Sequence, residues 1–573
     1  MSSAANTVPA WQRSTLPVAL IGSLLLWASL PPLALGWLGW AAPVPWLLLV
    51  RVDALPGTRP YRKLYLAGLL FWLASIYWLC LPHPILSIGW MALSVYLAIY
   101  VPIFVGLTRV AVHSCRVPLW LAAPVVFTGL ELARAHVLTG FLMASLAHSQ
   151  VRWTTMIQIS DLFGEYGVDF VIMIVAASIA SLVPASMLPS PNTDRRDGGS
   201  ALIRLAGLIP AIVVVAAALT YGNWRLNGAG QGDTTSTAKG PRVALIQGNS
   251  SPDMKFDQSS ERQIMNDYVA LSEKAIAKAR ETGDGRQVNL VVWPETMFRS
   301  SLITFDPGYQ APEGANRTPE QISAYGKNDL ANLVKRLGTP VLVGVDRVHY
   351  PIEGSGKKEA RPSIYNSTAL VGHQGELIGT YDKMHRVMFG EYIPFAEWFP
   401  ILYAVTPLTG GIVAGEKPAA LRLDDIYCFS PSICYETAIP HVIRHQVAAL
   451  ENRNEHPTAL VNVTNDAWYH GSRELDMHLA CGVFRAVESR LPLAIAANGG
   501  ISAWVDHLGR VRAQSPRQES DFIIADIEPT QMRSFYVRYG DWFSALCLVC
   551  CLVLAAVGWK RKRDLRKVIE TGS

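Results

Sequence analysis

The chain has 573 residues, of which 50% are hydrophobic and only 17% are charged. This composition is too apolar for a soluble domain of ordinary make-up, so it predicts a membrane protein. The net charge is a mild +5, and the basic residues do not alternate with aromatic ones along a stripe, which argues against nucleic acid as a partner. The eight cysteines are scattered, and the one Cys-x-x-Cys pair lies in an apolar run, so neither a zinc site nor a disulfide-stapled module is expected.

Seven apolar runs precede the first polar domain, and an eighth follows it. Each is long enough, or nearly long enough, to cross a bilayer. The runs are 16–35, 36–50, 64–81, 88–112, 118–130, 168–183, 205–221 and 543–559. The second and fifth are the least regular, because Pro43, Pro45 and Glu131 interrupt or end them. We therefore expect about eight transmembrane helices, the first being a retained span rather than a cleaved signal peptide.

The positions of Lys and Arg predict the orientation of these spans, because short cytoplasmic loops are enriched in positive charge. With the amino terminus inside, the predicted cytoplasmic loops carry Arg51, Arg59, Arg62, Lys63, Arg109, Arg116, Arg195, Arg196 and Arg204. The basic tail at 560–567 falls on the same side, whereas the connection 82–87, predicted outside, has no Lys or Arg. The large polar segment between the seventh and eighth spans is therefore expected outside the cytoplasm.

This polar segment alternates strand and helix patterns after a Gly-, Thr- and Ser-rich linker at 227–240. Strands are predicted at 243–247, 288–293, 340–345, 367–371, 459–463, 493–497 and 522–527. Helical spacing of apolar residues occurs at 264–276 and 475–487. The expected organisation is a membrane domain at 1–225, an extracytoplasmic α/β domain at 226–535, and a last span with a basic tail at 536–573.

A candidate nucleophile lies in the segment 426–436, which predicts a strand that runs into a sharp turn with Cys434 at its carboxyl end. A thiol there needs a neighbour that accepts its proton and another that stabilises the oxyanion formed on attack. Glu295 follows a predicted strand that ends in Val-Val-Trp-Pro, and the segment 381–394 combines Lys383 with aromatic and ionic residues. Taken alone, such a Glu is more typical of a solvated loop, and such a Lys of a surface charge.

Several motifs carry a family resemblance. They are Trp-Pro-Glu at 293–295, Tyr-x-Lys-x-His at 381–385, Phe-Gly-Glu-Tyr-x-Pro at 389–394 and Ile-Cys-Tyr-Glu at 433–436. In this order they resemble the carbon-nitrogen hydrolase (nitrilase) superfamily, whose fold is an α-β-β-α sandwich. Such a domain between a seventh and an eighth span is similar to the apolipoprotein N-acyltransferases, a bacterial inner-membrane family that finishes lipoprotein maturation. Segments 462–468 and 485–490 resemble that family too.

The resemblance implies a Glu-Lys-Cys triad, with Cys434 as nucleophile, Glu295 as general base and Lys383 as oxyanion stabiliser. The chemistry is consistent, because a thiol between a carboxylate and an ammonium has both a proton acceptor and a positive charge that favours the thiolate. Further supporting or substrate-binding positions are Glu391, Tyr435, Glu436, Asn366 and Phe256. For the first four of these, packing behind the site is an equally open interpretation. No cofactor is expected.

The chain departs from the family pattern at several positions. Phe256 stands where the family usually has Trp, Arg386-Val-Met388 replaces Leu-Val-Pro, Tyr469-His470 replaces Phe-Gly, and Gly499 replaces Thr in Asn-Thr-Gly. These changes leave the triad untouched, so we expect them to affect substrate fit and loop geometry rather than the chemistry.

The spacing of His470, Glu474 and His478 is that of one helical face and suggests a metal site. However, Gly471 and Ser472 favour a helix that begins after His470. We therefore expect solvated helix residues here and no metal.

The resemblance implies a two-step reaction. Cys434 takes a fatty acyl chain from a membrane phospholipid as a thioester, and the α-amine of the diacylglyceryl-cysteine at an apolipoprotein amino terminus accepts it. The expected location is the bacterial inner membrane, with the catalytic domain on the periplasmic side and the protein a monomer. Two alternatives stay open: a membrane-tethered amidase or nitrilase acting on a small amide, and a non-enzymatic transporter or receptor with an α/β sensor domain. Eight spans exceed what a tether needs, and few ionisable residues at span centres mark a transport path.

Overall fold

The computed structural model describes residues 14–188, 205–228, 240–252, 254, 259–311, 315–352, 362–393, 396, 398 and 411–571. They form two compact units. The first comprises Met1–Cys80, Leu86–Gly228 and Tyr539–Ser573, and its described elements are helical. The second comprises Leu81–Ile85 and Ala229–Arg538 and contains the described strands. Phe256, most of the predicted linker, and Arg195, Arg196 and Arg204 lie outside the described residues.

The helical unit has a helix at each of the eight predicted apolar runs. Its helices are α1 Thr15–Ser29, α2 Val44–Arg51, α3 Pro60–Ser75, α4 Leu86–Leu97, α5 Tyr100–Arg109, α6 Leu119–His136, α7 Thr154–Ile157, α8 Ser160–Phe163, α9 Glu165–Leu182, α10 Ile209–Gly228 and the final helix α16 Trp542–Thr571. Within the described part of the chain, five helical segments are long and apolar enough to cross a membrane. They are Leu86–Ser114, Leu119–Thr139, Glu165–Leu182, Ile209–Gly228 and Trp542–Asp564.

The remaining predicted spans are shorter in the structure. The first and third runs form α1 and α3, of 15 and 16 residues. The second run divides into a 3₁₀ turn at Gly36–Trp40 and the eight-residue α2. Pro43 and Pro45 explain the division, because proline is best tolerated in the first turn of a helix, and both residues lie at the start of α2.

The fifth run is longer than predicted. Glu131 was expected to end it, but α6 continues to His136 with the Glu131 side chain buried. Arg134, one turn later and also buried, donates from Nε to Glu131 Oε1 at 3.0 Å and from Nη1 to the Phe141 and Met143 carbonyls. A buried carboxylate is tolerated when it is paired and hydrogen-bonded, so the pair lets the helix continue.

The second unit contains two sheets. Its strands are β1 Arg242–Gln247, β2 Leu290–Val292, β3 Phe298–Phe305, β4 Val341–Tyr350, β5 Ser363–Val371, β6 Leu377–Asp382, β7 Leu421–Leu423, β8 Tyr427–Ile433, β9 Ala459–Asn465, β10 Leu493–Asn498, β11 Ala503–Val505, β12 Val511–Gln514 and β13 Asp521–Asp526. One sheet has the order β13-β1-β2-β4-β5-β6, with β3 beside β4, and the other has the order β12-β11-β10-β9-β8-β7.

Helices cover the outer face of each sheet, so the unit is the α-β-β-α sandwich that the sequence predicted. These helices are α11 Glu261–Arg280, α12 Pro319–Leu337, α13 Pro440–Asn452 and α14 Glu474–Ser489, and the short α15 Phe535–Tyr539 follows the last strand. On β1, Ala244 and Ile246 pack with α11, whereas Val243 and Leu245 pack with Phe429 and other residues of the second sheet. The alternation follows from the two-residue period of a strand, and burial on both faces explains why such strands read as continuous apolar runs.

All seven strands predicted from β-branched runs are present, as is the strand that precedes Cys434. Five strands were missed: β3, β6, β7, β11 and β12. Three of them have only three or four residues, and β12 is largely exposed. Such strands lack the buried apolar run that identified the others. The parallel neighbours β8, β9 and β10, and β1, β2 and β4, bring strand ends together at the edge where the candidate residues lie.

Candidate active site

Cys434 lies at a sharp elbow between β8 and a 3₁₀ turn, Cys434–Ala438. Its backbone φ is +52°, in the left-handed region that costs a residue with a side chain about 1–2 kcal/mol. Three donors converge on its carbonyl oxygen: Asn462 Nδ2 at 3.3 Å, Thr437 Oγ1 at 3.2 Å and His478 Nε2 at 3.2 Å. These bonds hold the elbow in a conformation that the chain would otherwise disfavour.

Glu295 lies just beyond β2, after the Trp293-Pro294 pair that ends the strand, and is only 8% exposed. Its carboxylate is held from two sides. Oε1 accepts a bond from Asn366 Nδ2 at 2.5 Å, and Oε2 accepts one from the backbone N–H of Asn465 at 3.0 Å. Because Asn366 is on β5 and Asn465 ends β9, both sheets fix the position of this carboxylate.

Lys383 follows the last residue of β6, and its side chain is fully buried. Its Nζ donates to Glu391 Oε1 at 2.7 Å, and its backbone N–H donates to the Asn366 carbonyl at 2.9 Å. Burial alone would lower the pKa of Lys383, but the negative charges of Glu391 and Glu295 raise it above its usual range. The ammonium therefore stays charged at neutral pH.

The environment of the Cys434 thiol favours its protonated form. Burial raises the pKa of the thiol well above its usual value, the negative charge of Glu295 raises it further, and Lys383 opposes both effects. A carboxylate that disfavours a neighbouring thiolate stops doing so once it has accepted the proton. The arrangement therefore suits a thiol that is deprotonated by Glu295 only at the moment of attack.

Glu391 and Asn366 connect the members of this cluster. Glu391 binds Lys383 through Oε1 and accepts a bond from the backbone N–H of Val387 at 2.8 Å through Oε2. Asn366 Nδ2 lies 2.5 Å from Glu295 and 3.5 Å from Glu391. The Asn366 amide thus lies between two carboxylates that would otherwise repel each other.

Glu436 is fully buried and binds protein groups rather than facing an open space. Its carboxylate accepts bonds from Tyr381 Oη at 2.9 Å and from the backbone N–H groups of Met384, His385 and Ile433 at 2.8–2.9 Å. These donors belong to the segment around Lys383 and to the strand that ends at Cys434. Glu436 therefore ties the lysine-bearing and cysteine-bearing segments together.

Tyr435, next to Cys434, is half-buried, and its ring centroid lies 6.2 Å from that of His385. The structure thus brings Glu295, Lys383, Cys434, Glu391 and Asn366 together, with Glu436 and Tyr435 beside them. Phe256 lies outside the described residues. All eight cysteines lie within the described residues, and none of them forms a disulfide.

The prediction of solvated side chains at Glu474 and His478 is wrong. Helix α14 does begin after His470, at Glu474, but both side chains are buried. His478 Nδ1 lies 3.4 Å from Asp466 Oδ1 and 3.9 Å from Glu474 Oε1. The prediction failed because α14 packs on the 3₁₀ turn that begins at Cys434, which turns this helical face inward.

Asp466, Glu474 and His478 are also the described side chains that could hold a cation. Their ligand atoms all lie within 4.8 Å of one another, and carboxylate and imidazole are ligands that zinc accepts. His478 also forms hydrogen bonds to Thr437 and to the Cys434 carbonyl, which give the cluster a second interpretation.

Several residues of the site were not predicted from the sequence, including Asn465, Tyr381 and the Asp466–His478 pair. One signal was available. The run 462–466 carries two Asn, a Thr and an Asp, yet its strand β9 is buried along its whole length. Buried amides and carboxylates in a central strand need partners, so such a run indicates that the strand supports a polar site.

Two departures from the family pattern have clear local structures. The Arg386 guanidinium lies 4.4 Å from the Tyr392 ring centroid and donates to the Ile412 carbonyl at 2.9 Å. Gly499 has φ +63°, and a Cβ there would lie 2.7 Å from the Ala467 side chain. Glycine at 499 is therefore matched to a conformation and a close contact that a larger residue would strain.

Two solved structures are similar to about half of the chain. An amidase from Nesterenkonia sp. is 18% identical and aligns over 52% of this chain and 93% of its own, with a TM-score of 0.33. A carbon-nitrogen hydrolase from Helicobacter pylori is 15% identical over 53% of this chain and 97% of its own, with a TM-score of 0.35.

Sequence comparisons extend over nearly the whole chain. Residues 22–178 match the apolipoprotein N-acyltransferase N-terminal domain, and residues 242–536 match the carbon-nitrogen hydrolase family. The apolipoprotein N-acyltransferase of Rhodopirellula baltica is 32% identical over 96% of this chain and 98% of its own length. That of Geobacter metallireducens is 29% identical over 95% of each. The chain therefore belongs to the apolipoprotein N-acyltransferase family.

Proposed function

We propose that this protein transfers a fatty acyl chain from a membrane phospholipid to the α-amino group of the diacylglyceryl-cysteine at the amino terminus of apolipoproteins. The observation that carries the proposal is Cys434 on a left-handed elbow, with Glu295 and Lys383 close enough to shift the pKa of its thiol. The names of the similar proteins supply the substrate class.

In the first step, Glu295 accepts the proton of the Cys434 thiol as Sγ attacks the carbonyl carbon of a phospholipid ester. The negative charge that develops on the carbonyl oxygen is stabilised by the Lys383 ammonium. The carbon–oxygen bond of the ester then breaks, and the leaving lysophospholipid oxygen takes the proton from Glu295. The products are an acyl thioester on Cys434 and a lysophospholipid.

In the second step, the α-amine of the acceptor attacks the thioester carbonyl carbon. Glu295 accepts a proton from the attacking nitrogen, Lys383 again stabilises the oxyanion, and the carbon–sulfur bond breaks. The proton on Glu295 then returns to the Cys434 sulfur, which restores the starting site. The net reaction converts an ester and an amine into an alcohol and an amide, with every proton accounted for.

The second unit, which carries Cys434, is called the catalytic unit. We further propose that it faces the periplasm from the bacterial inner membrane and that the protein acts as a monomer. The distribution of Lys and Arg supports this orientation. The connection after α3 supports it as well, because its segment Leu81–Ile85 belongs to the catalytic unit and contains no Lys or Arg. An active site on that side would meet both lipid substrates by lateral diffusion in the outer leaflet.

The intact mass of the detergent-purified protein, after incubation with phospholipid alone, tests the first step. We expect an added fatty acyl mass that hydroxylamine removes, that Cys434→Ala abolishes and that Cys428→Ala retains. Cys428 is a matched control because it is a buried cysteine on β8, the strand that leads to Cys434. An adduct in the Cys434→Ala variant would exclude the proposed thioester.

A synthetic peptide that begins with diacylglyceryl-cysteine tests the second step. On addition to the acylated enzyme, the enzyme should lose the acyl mass and the peptide should gain it. If the acyl group appears as free fatty acid whether or not the peptide is present, the protein is a hydrolase instead.

A further inference from the structure

The buried side chain of His478 contacts the elbow through one ring nitrogen and two carboxylates through the other. Nε2 lies 3.2 Å from the Cys434 carbonyl oxygen and 2.8 Å from Thr437 Oγ1. Nδ1 lies 3.4 Å from Asp466 Oδ1 and 3.9 Å from Glu474 Oε1. The imidazole therefore joins the nucleophile's backbone to an acidic pair.

The partners of Nε2 decide which way its hydrogen bonds run. The Thr437 hydroxyl donates its single hydrogen to the Cys434 carbonyl at 3.2 Å, so its oxygen is free to accept from Nε2. The carbonyl itself only accepts. Nε2 therefore carries a hydrogen and donates toward both oxygens.

The partners of Nδ1 are acidic. Asp466 Oδ1 also accepts a bond from Thr464 Oγ1 at 2.6 Å, which fixes the carboxylate in place. A proton on Nδ1 would give His478 a positive charge next to this fixed carboxylate, with no solvent to screen the pair. Glu474, the second carboxylate, is buried beside it.

We infer that His478 is a positioning residue of the acyl transfer: as an imidazolium held by Asp466, it donates to the Cys434 carbonyl and the Thr437 hydroxyl and so holds the left-handed elbow that aims Sγ at the ester. This inference rests on the proposed function. His478, Asp466 and Glu474 form a buried charged cluster beneath the elbow, here called the relay. The relay acts through the backbone of Cys434 and not on the reacting sulfur.

Asn462 Nδ2 donates to the same carbonyl at 3.3 Å and to Ser432 Oγ at 3.1 Å, so part of the elbow's support is independent of His478. Removing the histidine donor should therefore loosen the elbow rather than unfold it. Because attack depends on the position of Sγ, a small displacement is expected to slow the reaction strongly while leaving substrate binding unchanged.

The test compares two variants of His478. His478→Leu removes both ring N–H donors, whereas the amide of His478→Gln can still donate toward the elbow. Mixed micelles of phosphatidylethanolamine supply the acyl donor, and intact mass follows thioester formation. We expect His478→Leu to be slower by about 100-fold at an unchanged apparent KM, and His478→Gln to recover most of the rate. Met477→Leu, a buried change on the same helix outside the relay, should behave like wild type.

Asp466→Asn gives a second variant with nearly the same shape, for use if His478→Leu does not fold. Asp466→Asn should slow thioester formation by about 10-fold in the wild-type background. It should have little further effect in His478→Gln, because the imidazolium that Asp466 holds is then already absent. Additive effects of the two changes would contradict the inference.

The rate of Cys434 alkylation by iodoacetamide separates failure of this inference from failure of the proposed function, since it needs no lipid. If wild type forms no thioester but the variants still rank in the same order by alkylation, only the proposed function fails. If His478→Leu matches wild type, or His478→Gln is as slow as His478→Leu, the inference is wrong. A stoichiometric metal ion in the purified protein would also overturn it, because a ligating Nδ1 carries no proton.

Discussion

Lys383 keeps its charge in a fully buried position because acidic groups surround it. The proposed proton transfer from Cys434 to Glu295 moves a negative charge within this cluster without changing its total. The burial penalty for creating a new charge is therefore avoided during attack. The negative charge leaves Glu295 and, on attack, develops on the carbonyl oxygen of the substrate. There the Lys383 ammonium stabilises it.

Replacing Lys383 with Met tests this role, because Met has a similar volume and no charge. We expect thioester formation to slow by about 100- to 1,000-fold, as is typical when one oxyanion donor is removed. Alkylation of Cys434 should slow as well, since Lys383 is the charge that opposes the rise in the thiol pKa. Intact mass and iodoacetamide rates measure the two effects. Lys335→Met, at an exposed position of α12, is the control, and normal rates in Lys383→Met would contradict the assignment.

The titration of His478 gives a pH-dependence with a definite sign. Burial would lower the pKa of His478, but Asp466, Glu474 and the bond to the Cys434 carbonyl raise it to about 9, whereas a free imidazole has a pKa of about 6.5. Because the pKa of His478 is raised in the folded state, its protonation stabilises the folded protein. This contribution to the free energy of unfolding is complete below about pH 6.5 and is lost as the pH rises through about 9.

The measurement is the difference in unfolding temperature between wild type and His478→Gln, which does not titrate. This difference should be largest below about pH 7 and shrink toward about pH 10. The other ionisable groups around His478 are Asp466, Glu474, Tyr469 and Cys434. A difference that grows with pH would show that His478 is neutral in the folded protein.

At the scale of the elements, Glu436 joins the ends of two strands. β6 ends just before Lys383 and β8 just before Cys434, and the two strands belong to different sheets. The donors to Glu436 come from both strand ends. Glu436 therefore links the segment that carries Lys383 to the strand end that carries Cys434, and we propose that this structural link is its role.

Glu436→Gln should destabilise the catalytic unit and slow the reaction together. The amide turns an NH₂ group toward backbone donors and leaves at least one of them unpaired, at a cost of about 3 kcal/mol. Tyr381→Phe, which removes only one donor, should cost about 1 kcal/mol. Denaturant unfolding measures both, with the exposed Glu320→Gln as control. If Glu436→Gln were as stable as wild type but inactive, Glu436 would have a chemical role instead.

At the scale of the whole molecule, the orientation across the membrane is open to a labelling test. The exposed Lys327 on α12 belongs to the catalytic unit, and the exposed Lys562 lies in the basic end of α16. In a background with the exposed Cys115 changed to Ser, Lys327→Cys should react with a membrane-impermeant maleimide in intact spheroplasts. Lys562→Cys should react only after permeabilisation. The reverse pattern would place the catalytic unit in the cytoplasm.

Much of the fold was predictable because its signals are local. Strands buried on both faces, such as β1 and β9, read as apolar runs, whereas β12 and the three-residue β7 do not. The extension of α6 past Glu131 was missed for a different reason. It depends on Arg134 and on the carbonyls of a following loop, and a hydropathy pattern does not show that pairing.

By itself, the sequence determined the chemical groups and their order: a thiol, an acid and a lysine at strand ends, between apolar runs whose flanking charges predict one orientation. These properties are encoded over a few neighbouring residues. Only the tertiary structure decided that Glu436 ties two sheets together and that His478 lies buried beneath Cys434 instead of facing solvent. Such contacts depend on which strands and helices become neighbours, and that is decided by packing between segments far apart in the chain.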